Sequence, residues 1–398
     1  MAAIAPSTRI GELRPTAVNS ILAEVRQLQA EGKNLVSLMR GEPDLRTPEH
    51  IVEAAEKALR AGRTGYPDNR GEPRLREAVR TKLERDNGLQ YDPGTEILVT
   101  TGATFGIHAA LTAVLNPGDE VLLPEPVYDA YCSPVMLAGG VLKPVPAVIE
   151  NGRFVLYPEM IEAACSSRTR MLLLNTPWNP TGTVFTRSEL ERIADVVLRH
   201  GLVLLSDEIY EAITYEGKTH ISPASLSDEL RERTILVNSV SKTYAMTGWR
   251  AGYCAAGAAI TQAMFLVLQQ SSRGPATFVQ DACTEALIGP QSCVAAMRAE
   301  YAARRGEVLR ALDGVGGCRM LAPEGGFFAM ADVRALGMAS NDVRRALMRH
   351  HGVVTAHGSA YGPSGEGTLR ISFATGGETL QRGLERLCAG LAALRTVE

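Results

Sequence analysis

Five short apolar runs constrain this chain more than any other feature. They are Ile97-Leu98-Val99, Val121-Leu122-Leu123, Met171-Leu172-Leu173-Leu174, Leu202-Val203-Leu204-Leu205 and Ile235-Leu236-Val237. None alternates with polar residues, so each has to be buried on both faces. Helical stretches lie between them, over 104–115 and over 188–200. The second opens with a capping box, Thr186 with Glu189 three residues on, and stops at Gly201. This alternation predicts an α/β fold with a mostly parallel sheet covered by helices.

The pattern changes on both sides of that region. Ahead of it, 19–32 reads as a helix with Ile21, Leu22, Val25 and Leu28 on one face. A short apolar strand at Leu38 breaks into the loop Gly41-Glu42-Pro43-Asp44, and a second helix covers 48–61. A glycine- and proline-rich loop, 62–73, carries Tyr66. After about residue 290 come a long charged helix (295–312), Gly325-Gly326-Phe327-Phe328, a helix near 341–351, a strand at 369–373 and a closing helix at 379–394. A chain of 398 residues is too long for one simple core. The expected division is a large domain over 48–290 and a smaller α+β domain over 291–398, with 1–47 packing on the smaller one.

Composition removes several classes of function. The net charge of −3 gives no electrostatic case for nucleic acid or an anionic membrane. No apolar run approaches the 18 or so residues of a membrane span. The start, Met-Ala-Ala-Ile-Ala-Pro-Ser-Thr-Arg, has no basic segment followed by an apolar core, so no secretory signal is expected. Seven scattered cysteines without a C-x-x-C pair fit a reducing cytoplasm, and the seven histidines lack ligand spacing, so no metal is expected.

Ligands of open parallel sheets bind beyond the carboxyl ends of the strands. Those ends are polar here. The first run leads into Thr100-Thr101-Gly102-Ala103-Thr104 and then a helix. That turn suits a phosphate at a helix N-terminus, or a plain structural turn. The third run leads into Asn175-Thr176-Pro177-Trp178-Asn179-Pro180-Thr181-Gly182, and the fourth into Ser206-Asp207-Glu208-Ile209-Tyr210. Asp207 suits a carboxylate partner for a buried ligand cation, or a helix cap. The fifth run leads into Ser239-Val240-Ser241-Lys242, followed by Thr247-Gly248-Trp249-Arg250. Hydroxyls with two cations suit a phosphate dianion, and a lysine beside an anion and out of water suits Schiff-base chemistry. The bland alternative is a surface turn.

Thr-Gly-Ala-Thr, Asn-Pro-Thr-Gly, Ser-Asp-Glu-Ile-Tyr, Ser-x-Ser-Lys and Thr-Gly-Trp-Arg, in this order, resemble the class I/II pyridoxal-phosphate aminotransferases of fold type I. The chain looks closest to the prokaryotic aspartate aminotransferase subgroup, and the likeness runs from Gly41-Glu42-Pro43-Asp44 to Leu369-Arg370-Ile371-Ser372. It implies a seven-stranded, mostly parallel sheet, pyridoxal 5'-phosphate as cofactor, and ping-pong transfer of an amino group from an L-amino acid to a 2-oxo acid. Lys242 would carry the cofactor and move the substrate proton. Asp207 would pair with the pyridine nitrogen, and Tyr210 and Asn179 would bond the ring's phenolic oxygen. Ser239, Ser241 and Arg250, with the N–H groups of Ala103 and Thr104, would hold the phosphate. Tyr128 would stack on the ring, and Tyr66 would serve the partner subunit's phosphate, which makes a homodimer the expected assembly. Arg370 would grip the substrate α-carboxylate, with Gly41 letting the backbone approach.

The subgroup's pattern carries a lysine where this chain has Thr104, which bears on aspartate as donor. Arg40 and Arg273 are candidate readers of a distal carboxylate, with exposed ion pairing as the alternative, and His357 is a third candidate for the pocket wall. A β-lyase on the same scaffold is the runner-up function. A non-catalytic ligand sensor ranks lower, since no helix-turn-helix precedes Gly41. A nicotinamide dehydrogenase lacks its glycine fingerprint.

Overall fold

The computed structural model describes residues 4–13 and 15–395; the stretch read for a secretory signal begins outside them. Seven strands form the main sheet: β1 (Ile97–Thr100), β2 (Glu120–Glu125), β3 (Val141–Pro146), β4 (Thr169–Asn175), β5 (Val203–Asp207), β6 (Thr234–Ser239) and β7 (Gly252–Ala255). Their spatial order is β1-β7-β6-β5-β4-β2-β3. Only β7 runs antiparallel to its neighbours; the other pairs are parallel.

Each of the five apolar runs is a strand, fully buried at its centre. The two further strands have no apolar run to announce them. β3 is Val-Leu-Lys-Pro-Val-Pro, largely exposed, and its prolines fit only because it is the sheet edge. β7 is Gly-Tyr-Cys-Ala, and its glycine is required: a Cβ at Gly252 would lie 2.8 Å from the amide nitrogen of Ala103 and the carbonyl oxygen of Asn238.

The expected helices form within a few residues of their sequence limits. The first, α1 (Ala17–Ala30), starts two residues early, because the Thr16 side chain accepts the Asn19 N–H and makes Thr16 the cap. The glycine turn feeds α2 (Ala103–Val114). Both halves of the Thr186–Glu189 capping box are present at α3 (Arg187–Arg199). The lysine sits on the single turn α4 (Val240–Thr243).

The strand expected at Leu38 lies slightly earlier. Val36–Ser37 pairs in parallel with Val353–Val354, while Leu38 and Met39 are buried as packing residues. Residues beyond 318 make a four-stranded antiparallel sheet from β8 (Arg319–Leu321), β9 (Phe328–Asp332), β10 (Ala356–His357) and β11 (Thr368–Ser372). Leu38 joins its core beside Leu369, Ile371 and Phe373. Ile21 and Leu28 of α1 pack with Met348, Val354 and Tyr361. A further division into domains at 47/48 and 290/291 remains our proposal.

Candidate active site

The carboxyl ends of β1, β4, β5 and β6 open on one cavity of about 450 Å³, closed from the other side by Phe328 of β9 and Arg370 of β11. Its wall contains Gly41, Ala103, Thr104, Tyr128, Asn179, Asp207, Tyr210, Ser241, Lys242, Arg250 and Arg370. Residues named at widely separated points of the sequence therefore converge, because the parallel topology puts every strand end on the same edge.

Lys242 Nζ donates to Gly41 O at 2.7 Å and lies 5.7 Å from the Phe327 ring centroid. Burial pushes its ammonium down to about 8, so the amine is within reach of its neutral, nucleophilic form near neutral pH. Gly41 has to be glycine, since a Cβ there would stand 2.8 Å from Phe328 Cζ.

Asp207 is buried at the end of β5, and burial pushes its carboxyl up to about 6. Two donors hold it: the Tyr131 hydroxyl at 2.6 Å on Oδ2 and the Ile209 N–H at 3.2 Å on Oδ1. Tyr131 is fully enclosed and meets Tyr128 edge to face, 5.2 Å between centroids. Tyr210 packs its ring edgewise against Phe327 and Phe328, and burial raises its phenol above the usual range.

At the opposite wall the first N–H groups of α2 are free of any side-chain cap. Arg250, in the left-handed conformation at φ 53°, brings its guanidinium there, anchored by Nη1 on Thr247 O at 2.9 Å. A Cβ at Gly102 would lie 2.6 Å from Arg250 Nη2. The glycine thus lets a cation meet the helix N-terminus, a cradle for an anion such as phosphate. Arg370 is sandwiched between rings, 4.2 Å from the Phe328 centroid and 5.0 Å from that of Tyr361. It donates to Asn179 Oδ1 (3.3 Å) and Met39 O (2.9 Å), and its buried Nε has no partner. Among the described residues no opposite charge lies within 4 Å of Lys242, Asp207, Arg250 or Arg370, unlike Arg304, Arg305 and Arg344, which all hold carboxylates.

Five sequence candidates lie outside this cavity. The Ser239 hydroxyl accepts the Ser241 N–H at 3.1 Å and borders a second cavity of about 440 Å³. Arg40 is exposed and paired with Glu42 at 3.3 Å. His357 bonds Ser359 Oγ at 2.8 Å, and burial pushes its imidazole down to about 4. Tyr66 is 87% exposed, with the Arg273 guanidinium 5.3 Å over its ring. Conversely, Thr16, Val18 and Asn19 of the α1 entrance, Asp129 and Tyr131 line the cavity and were not singled out from sequence. Tyr131 lies one turn beyond Tyr128, which was the only signal for it. In the second cavity, Glu208, Glu211 and His220 gather within 4.8 Å, but internal donors already occupy the acids. Glu211 takes Lys82, Asn87 and Asn238, and Glu208 takes Ser206, Ser222 and His220.

A buried lysine, a buried lone carboxylate and a phosphate cradle on a doubly wound sheet define the fold type I pyridoxal-phosphate class. The sequence matches the family described as aminotransferase class I and II over residues 33–387. It is 37% identical to an aspartate aminotransferase of Bacillus sp. (strain YM-2), covering 96% of this chain and 97% of that one. It is 40% identical to aromatic-amino-acid aminotransferase 2 of Thermococcus litoralis, covering 92% and 94%. The crystal structure of the aspartate aminotransferase from Rhizobium meliloti superposes with a TM-score of 0.93 at 35% identity, over 98% and 99% of the two chains. The chain belongs to the class I and II aminotransferases; it is a transaminase whose cofactor is pyridoxal 5'-phosphate.

Proposed function

We propose that Lys242 carries the cofactor and moves the substrate proton, in a cytoplasmic homodimer that transfers an amino group from an L-amino acid to a 2-oxo acid. The observation that carries this reading is the set of four formal charges, Lys242, Asp207, Arg250 and Arg370, around one cavity without ion-pair partners of their own. Buried charges without partners are costly in a resting protein, and a ligand with complementary charges relieves that cost.

Bound pyridoxal phosphate supplies an electron sink beside the substrate Cα. The chain supplies the rest. Arg250 and the N–H groups of Ala103 and Thr104, with Ser241, hold the phosphate. Charge-assisted bonds of this kind contribute about 1.5–3 kcal/mol each. Asp207 keeps a proton on the pyridine nitrogen, and Tyr131 and Ile209 N–H fix its orientation. Tyr128 covers the ring face, and Tyr210 with Asn179 bonds its oxygen. Arg370 holds the substrate α-carboxylate in its planar fork, and the free Lys242 amine takes the proton from Cα. The burial that depresses its basicity to about 8 makes it a base matched to neutral pH.

The exposed Tyr66, stacked on Arg273 and outside its own chain's cavity, is what supports a second copy of the chain. Tyr66 would reach the phosphate of the neighbouring site. The cysteines, none in a disulfide among the described residues, support the cytoplasm. No helix among those residues is long and apolar enough to cross a membrane.

The test is a half-reaction screen. Each amino acid is mixed with the holoenzyme without a 2-oxo acid, and the loss of cofactor absorbance at visible wavelengths is followed. Stoichiometric bleaching that any 2-oxo acid reverses supports a transaminase. Continuous release of pyruvate and ammonia would instead identify a β-lyase. The same assay examines Tyr131. Tyr131→Phe removes one of two donors to Asp207 and should weaken cofactor binding roughly tenfold. It should also shift the pH titration of the cofactor spectrum, a change that a purely packing role would not produce. An unaltered titration would remove Tyr131 from the site.

A further inference from the structure

The cavity wall contains three cations, Lys242, Arg250 and Arg370, and two anions, Asp207 and Asp129. The functional reading uses four of these five. Asp129 is left over. It sits between Tyr128 and Tyr131, where its Oδ2 accepts the Ala17 N–H of α1 at 2.6 Å. Its Oδ1 is buried with no partner, and among the described residues no cation forms an ion pair with it. Burial raises its carboxyl above the usual range, and Arg370 is close enough to pull it back in part. The wall around it comes from Thr16, Val18, Asn19, Ile107 and Phe328, all uncharged. Arg40, paired outside with Glu42, adds no cation, and Thr104 adds none at the mouth of α2.

We propose that Asp129 is a specificity-determining residue that turns the side-chain compartment against a second carboxylate, so that monocarboxylic amino acids with neutral side chains are preferred to aspartate and glutamate. The proposal deepens the transaminase reading and rests on Arg370 as the α-carboxylate holder. With Arg370, Arg250 and Lys242 committed, a distal carboxylate finds no free cation in this chain's wall. It meets instead an anion whose open oxygen needs a donor, not a second acceptor. A cavity of about 450 Å³ spans about one Debye length, roughly 10 Å, so the repulsion is not screened away. Discrimination by a repulsive group is as effective as discrimination by an attractive one. Arg273 beside Tyr66 is the one cation a neighbouring copy would bring, so the test includes it.

The probes are maleate, a dicarboxylate, and 3-phenylpropionate, a monocarboxylate. Each is titrated into the holoenzyme by the change in cofactor absorbance. The wild type should bind 3-phenylpropionate more tightly. Asp129→Asn keeps an oxygen for the Ala17 N–H and removes the charge. It should raise the ratio of maleate to 3-phenylpropionate affinity roughly tenfold. A parallel rise in the aspartate-to-neutral ratio of half-reaction rates should accompany it. Tighter maleate binding in the wild type, lost in Arg273→Ala, would overturn the proposal, as would an unchanged ratio in Asp129→Asn. If no amino acid bleaches the cofactor at all, the transaminase reading fails and takes the proposal with it. Bleaching with a preference for dicarboxylates overturns the proposal alone.

Discussion

Lys242→Ala should lower transamination by about 10⁴-fold, the upper end of what a positioned acid–base group contributes, and borohydride should no longer fix the cofactor to the chain. The two readouts separate two roles. An adduct that persists would place the carrier elsewhere; an intact rate without the adduct would remove Lys242 from proton transfer. The environment of the amine gives a third readout, in the cofactor-free enzyme. Burial holds the folded ammonium at about 8, against a model value of 10.5. Between those pH values the unfolded lysine keeps a proton that the folded one has lost. Unfolding then takes up a proton, so native stability rises with pH across this window. Below pH 8 the buried charge costs the native state about 3 kcal/mol. Lys242→Met fills similar space without the charge. Its cofactor-free form should unfold at higher denaturant than the wild type at pH 7, and the gap should close by pH 10.5. A gap that is absent at pH 7, or that widens with pH, would mean that the amine is solvated.

The strands that became legible were those whose burial is written into consecutive residues. Leu172 to Leu174 and Ile235 to Val237 are apolar without a break because both faces of the sheet are covered, and the polar residues that follow mark the edge where ligands bind. Strand β3 escaped notice because an edge strand with prolines and a lysine looks like loop, and β7 because Gly252 is chosen for closeness to Ala103 rather than for hydrophobicity. The same division holds in the cavity. Lys242, Asp207 and Asn179 follow directly on strands, so sequence position fixes where they point. Tyr131 and Asp129 follow a turn, and Thr16 reaches the cavity from a helix more than a hundred residues away in sequence, through the Ala17–Asp129 contact. No local pattern carries that information. Ser239 illustrates the opposite error. Its motif is right, but its hydroxyl is spent on capping the turn that presents Lys242.

Arg370→Ala should raise the half-saturating concentration of every amino acid by about 10²–10⁴-fold, the loss of two charge-assisted bonds at roughly 1.5–3 kcal/mol each. The side chain is 3% exposed and clamped between Phe328 and Tyr361, so its direction is set before any substrate arrives. One donor reaches Asn179 Oδ1 and another Met39 O, while Nε has no partner, which leaves the guanidinium short of an acceptor. Arg370→Lys keeps the charge but loses the fork and much of the ring contact, and should recover only a small part of the affinity. The α-carboxylate is common to all donors, so the loss should be the same for alanine, glutamate and tyrosine. A loss confined to acidic donors would assign Arg370 to the side chain instead. In that case Asp129 could no longer be the feature that sets the preference, because the cation it is weighed against would itself be reading the second carboxylate.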